Sequence, residues 1–311
     1  MSHAHSHDNH ADAVSGRPLK ITLILVLIIM VAEIIGGFIS NSLALLSDAG
    51  HMLTDALAIG LSLFAMNLAR RPATSKRTFG YHRAEIMAAL ANGTVLVLVS
   101  VYIFYEASRR FLETPTVKTP MMLIVAGIGL AANLVGLYLL RKGSGKNINI
   151  RSAFWHIIGD TLSSVGVIIA GVIIYFTGWY IADPILAVVI GVIILWGAVR
   201  IVKEAVDILL ESVPANLEIE KVADAVKKIS GVENMHEIHI WTITSSIYAL
   251  SAHLKIADRM VSESGEILAK VNEVLTHDFN ITHTTLQMEC ESCPTGLVCN
   301  LPQHNQKLSG K

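Results

Sequence analysis

Two imidazole–carboxylate pairs mark this chain by their spacing. His51 and Asp55 are four residues apart, and so are His156 and Asp160. On an α-helix that spacing stacks two side chains on one face, one turn apart. Asp48 lies on the face of His51 and Asp55, one turn earlier. Both pairs fall inside apolar runs, where one ionisable side chain costs roughly 2.5–3.5 kcal/mol to insert. Imidazole nitrogen with carboxylate oxygen is a borderline donor set suited to Zn2+. Two pairs make four ligands, enough for a tetrahedron, and two carboxylates offset the charge of one divalent ion. Neither pair suffices alone, so the runs that carry them are expected side by side.

The elements that must position these pairs are membrane helices. The chain is 52% hydrophobic and 16% charged over 311 residues, with a mean hydropathy of +0.54. That excludes an ordinary soluble enzyme. A net charge of −1 gives no bias toward nucleic acid, and none is expected as a partner. Six apolar runs, roughly 20–39, 43–69, 86–107, 120–140, 152–176 and 183–203, each approach the ~20 residues that span hydrocarbon. Arg70, Arg71, Lys76, Arg77 and Arg83 follow the second run; Arg141, Lys142, Lys146 and Arg151 follow the fourth. The loops at 40–42 and 177–182 carry no Lys or Arg. The positive-inside rule then places both termini in the cytoplasm. The compact loops suggest a bacterial inner membrane.

From about 207 the composition turns polar and the periods change. Helical spacing at Glu218–Ile229 is followed by alternation at Met235–Thr244 and Tyr248–Ile256, a helical pattern at Ser262–His277 and a strand at His283–Glu289. The order αββαβ predicts a small α+β domain with its helices on one face of a sheet. The organisation expected is a His-rich cytoplasmic tail at 1–18, a six-helix transmembrane bundle at 19–206, a cytoplasmic domain at 207–290 and a Cys-containing tail at 291–311.

The depths of the two pairs disagree at first count. His51 falls near the outer end of its run and His156 near the inner end of its own. At 1.5 Å per residue the mismatch is on the order of 10 Å. It closes if the second helix overshoots into the cytoplasm and the fifth begins several residues early. Met66–Arg71 and Asn147–Arg151 both have sequences compatible with that.

Several longer stretches are similar to one family across essentially the whole chain. They are Ser42–Asp55 (SLALLSDAGHMLTD), Phe79–Glu85 (FGYHRAE), His156–Ser164 (HIIGDTLSS) and His239–Ile240–Trp241. The chain resembles the cation diffusion facilitators, in their zinc-transporting branch. The resemblance implies six transmembrane helices, a cytoplasmic metallochaperone-like domain, a homodimer, and export of Zn2+ in exchange for protons. It assigns the transport site to His51, Asp55, His156 and Asp160. Asp48 becomes a neighbour of that site or a group at its entrance. A His at the first position favours zinc over other metals in this family, with Cd2+ and Co2+ as alternative substrates.

The same resemblance marks further candidate metal ligands. His236, His253 and Glu289 match positions that bind zinc in the cytoplasmic domain, as a structural or regulatory ion, and His283 matches another. His82 lies in a loop that can hold a surface zinc in relatives. Arg83 and Asp207 are expected to pair between that loop and the domain, as charged residues do in relatives. Cys290 and Cys293 have zinc-ligand spacing, Cys299 supplies a third thiol, and the histidines His3, His5 and His7 of the N-terminal tract supply further ligands. Within the bundle, Asn92, Asn133 and Ser163 read as interhelical hydrogen-bonding groups. Glu33 is a candidate for proton access.

The chemistry of the four ligands suggests the exchange. Imidazole binds metal only when neutral, so protons compete with the ion. One pH unit is worth about 1.4 kcal/mol per proton. Two other classes remain: a polytopic membrane metalloenzyme, and a metal-gated channel or sensor. Against the enzyme, four protein ligands leave no open position for a substrate. Against the channel, only the second and fifth runs are strongly polar.

Overall fold

In the computed structural model the backbone is described for residues 10–141, 148–244, 247–290 and 296–297. Within that range the side chains of 10–23, 55, 58, 59, 62, 63, 66, 148–153 and 155 are not described. Six long helices come first: α1 His10–Ser40, α2 Leu43–Ala69, α3 Ala84–Leu112, α4 Thr119–Leu140, α5 Ile148–Thr177 and α6 Ala182–Leu209. The second part runs α7 Ile219–Lys227, β1 Val232–Thr244, β2 Ile247–Ile256, α8 Val261–Phe279 and β3 Ile281–Glu289. This is the expected all-α bundle followed by αββαβ. By Cα proximity, residues 1–62 and 91–202 form one compact unit, and 63–90 with 203–311 form the other.

The helical unit is built for lipid. Among the described residues, α3, α4, α6 and His156–Thr177 of α5 are long and apolar enough to cross a membrane, and α1 contributes the apolar Ile24–Ser40. α2 is similar in length but carries Asp48 and Asp55 among its apolar residues. Apolar side chains also cover outward faces, with Leu98, Tyr102, Ile128, Val192 and Trp196 all exposed. Leu43, Leu45, Ile103, Met122, Val167, Ile174 and Ile194 fill the interior. With lipid outside, packing and small residues hold the helices together rather than the hydrophobic effect. At Gly191 of α6 a Cβ would lie 2.9 Å from the ring of Phe104 on α3.

α2 ends at Ala69 and α5 starts at Ile148. α5 thus begins four residues before its apolar run, in the direction needed to bring the two His–Asp pairs to one level, whereas α2 ends where its apolar run ends, without the expected overshoot.

The N-terminal ends of α2 and α6 and the C-terminal end of α3 meet in a buried polar knot. Asn41, at φ +58, makes the turn from α1 to α2, a left-handed conformation that Asn tolerates better than most residues. Asp183, fully buried, accepts hydrogen bonds from the Leu43 and Ala44 backbone N–H groups at 2.6 and 3.2 Å. Those are orphan donors of the first turn of α2, which a carboxylate satisfies well. Arg110 of α3 lies 3.4 Å from Asp183 and donates to the Asn41 carbonyl at 2.7 Å and its side-chain oxygen at 3.1 Å.

The second unit has one three-stranded sheet, ordered β1-β2-β3, antiparallel between β1 and β2 and parallel between β2 and β3. Leu250, Ala252, Leu254 and Ile256 of β2 face its core; Ser251, His253 and Lys255 take the other face, as period-2 alternation requires. Val222 and Val226 of α7 with Ile267, Val271 and Leu275 of α8 cover the core face. Asn280, in the left-handed region at φ 57, caps α8 and turns the chain into β3.

β1 breaks its own alternation. Met235, Ile238 and Ile240 are all buried in the core. Their numbers change parity between 235 and 238. The register slips between His236 and His239, so one extra residue is accommodated there, and Glu237 takes φ +51. A bulge of this kind switches which residues face the core on its two sides.

Candidate functional site

The intramembrane cluster forms where α2 and α5 approach. The imidazoles of His51 and His156 lie with ring centroids 6.4 Å apart. Rings sharing a tetrahedral ion at ordinary Zn–N lengths would have centroids roughly 5 Å apart, so about one ångström of closure separates this arrangement from a loaded one. On α5, His156 Nε2 is 3.6 Å from Asp160 Oδ2, as the one-turn spacing requires. The Asp160 side chain is 2% exposed and that of His156 41%. The imidazole edge is reachable while the carboxylate is sealed in. Asp55 lies one turn beyond His51 on α2, and its side chain is outside the described ones.

Asp48 is buried beside this cluster, and its Oδ1 accepts no hydrogen bond among the described residues. Glu33 of α1 is buried too, with Oε2 in the same condition. Its other oxygen sits over Gly129 of α4, where a Cβ would come within 2.7 Å of it. Glu33 lies within Coulombic reach of Asp48 and Asp160. Asn133 of α4 donates to Ser164 of α5 at 3.4 Å. Of the polar residues expected to bond between helices, Asn133 does so through Ser164, while Ser163 Oγ lies buried beside Asp48.

A second cluster forms on the open face of the sheet. His236 pairs with His253 across β1 and β2, and their rings sit 5.4 Å apart. Glu289 of β3 reaches both, 3.2 Å from His236 Nε2 and 2.8 Å from His253 Nδ1. Neither nitrogen has hydrogen-bond geometry despite these short distances. The three ligand atoms thus gather close together without bonding one another well, an arrangement compatible with a shared metal ion. Among the described residues, these are the three metal-binding side chains whose ligand atoms all lie within 4.8 Å of one another. The donor set fits a zinc ion.

The other expected ligands stand apart. His283 shares the parity of Glu289 on β3 but lies six residues upstream, roughly 20 Å along the strand. Its ring packs edge-on against Phe79 instead, at 5.4 Å. His82, half-buried in the loop before α3, joins no three-ligand group among the described residues. Cys290 is exposed, with Sγ 4.0 Å from Asp258. Cys293, Cys299, His3, His5 and His7 lie outside the described residues. Arg83 bonds Glu211 at 2.8 Å, not Asp207. α6 ends at Leu209, and Glu211 turns away in the left-handed region at φ 60, which delivers its carboxylate to Arg83.

Sequence reading missed Glu237, whose carboxylate lies 3.5 Å from His253 Nε2. The phase break from Met235 to Ile238 was the available signal. It also missed the Asp183 knot, whose partners are far apart in sequence.

An apolar six-helix bundle with an intramembrane His–Asp cluster, followed by a sheet domain with its own ligand cluster, defines a membrane cation transporter rather than an enzyme. Two family models cover nearly the whole chain: the cation efflux transmembrane domain at residues 19–210, and the cytoplasmic domain of cation efflux proteins at 214–291. The protein belongs to the cation efflux, or cation diffusion facilitator, family. It is 42% identical to the cadmium, cobalt and zinc/H(+)-K(+) antiporter of Bacillus subtilis over 91% of this chain and 92% of that one. It is 39% identical to the metal cation efflux system protein CzcD of Cupriavidus metallidurans, covering 94% and 92%. It is 38% identical to the zinc transporter ZitB of Escherichia coli, covering 100% and 98%. A solved metal-bound C-terminal domain of the CzcD transporter from Cuprividus metallidurans is 32% identical, covers 24% of this chain and 99% of its own, and gives a TM-score of 0.22.

Proposed function

We propose that this protein exports Zn2+ from the cytoplasm in exchange for protons, with Cd2+ and Co2+ as further substrates. The observation that carries the reading is the convergence of His51 with His156 and Asp160 from two membrane helices about a hundred residues apart in sequence. Asp55 completes the ligand set. The substrates named for the Bacillus and Escherichia relatives support the choice of ion.

The cluster explains why ion and proton exchange. An imidazole holds zinc only through a neutral nitrogen, so the site binds two alternative cargoes, the ion or protons. Facing a neutral cytoplasm, His51 and His156 lose protons and take the ion. Facing a more acidic outside they gain protons and release it. Rocking of helices about a roughly fixed site exchanges the two faces.

The working unit in this reading is a homodimer joined through the cytoplasmic domain, with both termini in the cytoplasm and the bundle in a bacterial inner membrane. The cluster of His236, His253 and Glu289 holds a resident zinc that reports cytosolic metal. A polytopic metalloenzyme is disfavoured because a full set of four protein ligands leaves no place for a reacting group.

Zinc uptake into inside-out vesicles tests the proposal. Uptake should follow an imposed pH gradient and vanish in Asp55→Ala and in Asp160→Ala. Uptake that survives both substitutions, or that ignores the gradient, overturns it.

A further inference from the structure

His253 presents both ring nitrogens to carboxylates. Nδ1 faces Glu289 at 2.8 Å, on the side of the three-ligand cluster. Nε2 faces Glu237 at 3.5 Å, on the opposite side. The Glu237 side chain is 17% exposed and that of His253 25%, so this contact is largely out of bulk water.

Glu237 reaches that position only through the bulge in β1. It is the extra residue where the register slips, and its φ of +51 is a conformation that suits glycine and strains a residue with a Cβ. For the fold alone, glycine would serve the bulge better. The backbone there is also tied down from outside. Glu237 N–H donates to the Gly296 carbonyl at 3.3 Å, and Ile238 N–H to the Leu297 carbonyl at 2.7 Å. The chain beyond β3 therefore fixes the bulge that aims this carboxylate, and bulges are known for re-aiming side chains at functional sites.

We infer that Glu237 is the positioning residue of the cytoplasmic zinc site. It accepts a hydrogen bond from His253 Nε2–H and leaves Nδ1 as the lone-pair donor toward the point shared with His236 and Glu289. A ligating imidazole with its second N–H on a carboxylate has its tautomer and ring plane fixed, and gains basicity. The observed 3.5 Å is about 0.7 Å longer than a charge-assisted N–H···O bond. The small rotation that seats His253 on the ion closes that gap. The inference rests on the proposal that His236, His253 and Glu289 hold zinc.

Zinc titration against a chromophoric chelator tests it, on the full chain in lipid nanodiscs with Asp55→Ala and Asp160→Ala in the background to silence the transport site. The binding class that disappears in His236→Ala is the cytoplasmic site. In Glu237→Gly that class should persist at the same stoichiometry with affinity weakened about 10- to 100-fold. Glu237→Gln, which keeps an acceptor, should restore part of the loss. The thermal stability of the metal-free Gly variant should not fall, because glycine relieves the backbone. If His236→Ala removes no class, the zinc-site reading itself fails. If His236→Ala removes it but Glu237→Gly stays within about twofold of the parent, the role of Glu237 is overturned and the site stands. A lower stoichiometry in Glu237→Gly would make Glu237 a ligand and also overturn the inference.

Discussion

Asp183, the second residue of α6, accepts a 2.5 Å hydrogen bond from the hydroxyl of Ser42, which immediately precedes α2. The same carboxylate takes two backbone N–H groups of α2 and faces Arg110 of α3. One buried acid thus fastens the N-terminal end of the helix that carries His51 to two other helices.

Removing that acid leaves several buried donors without an acceptor. Asp183→Ala should destabilise the bundle by about 3 kcal/mol, since it strands backbone N–H groups and weakens the pairing of Arg110. Asp183→Asn, which keeps an acceptor oxygen, should lose less. Thermal melting in detergent, followed by aggregation or fluorescence, checks the order parent > Asn > Ala.

Proton competition should give the proposed transport site a signed pH dependence. Neutral rings bind zinc, so apparent affinity should fall as pH falls. The slope should steepen toward acid pH, to a limit of about a hundredfold per pH unit if both His51 and His156 compete with protons, and flatten toward alkaline pH. Substituting His156 with Gln should reduce that limit to about tenfold. Zinc binding to the purified protein between about pH 8 and pH 5.5, with His236→Ala in the background, gives both slopes.

Asn133 and Ser164 join α4 to α5 through a single bond of 3.4 Å. Interhelical hydrogen bonds in membranes average only about 0.6 kcal/mol. Asn133→Ala should therefore cost less than about 2 kcal/mol, including the loss of packing. A loss much larger than that, measured by the same melting assay, would mean that Asn133 supports the site and not only the interface.

Arg83 and Glu211 pair at 2.8 Å with side chains 42% and 59% exposed. Exposed pairs contribute about 0–1 kcal/mol. Arg83→Ala should leave melting nearly unchanged, and Glu211→Lys should have a larger effect through repulsion. Raising the salt concentration should shrink the difference between the two.

The legible parts of this protein were those written as local period or composition. Six apolar runs became α1 to α6 because twenty apolar residues have few other fates. The strands of the sheet followed from alternation, most clearly in β2. The depth mismatch between His51 and His156 was legible in part: α5 starts early, at Ile148, while α2 stops at Ala69 with its apolar run. Alternation named the face of His283, and its six-residue separation from Glu289 on one strand, roughly 20 Å, already kept the two apart. Arg83 was expected to meet Asp207, and the chain turned just past it to offer Glu211. Asp183 was opaque for another reason: its partners lie 73 and 141 positions away, and no local pattern announces such a meeting.

α2 also has a mechanical property. It holds 27 residues, about 40 Å of helix, against roughly 30 Å of hydrocarbon. His51 stands eighteen residues before its last residue, Ala69, an arm of about 27 Å with no proline to bend it. The opposite end is pinned at Ser42. A tilt of only about 10° about the ligand would sweep the far tip through about 5 Å. If the proposed site holds the ion, α2 is also a lever, turning an ångström-scale closing of two imidazoles into a displacement of several ångströms at its C-terminal tip.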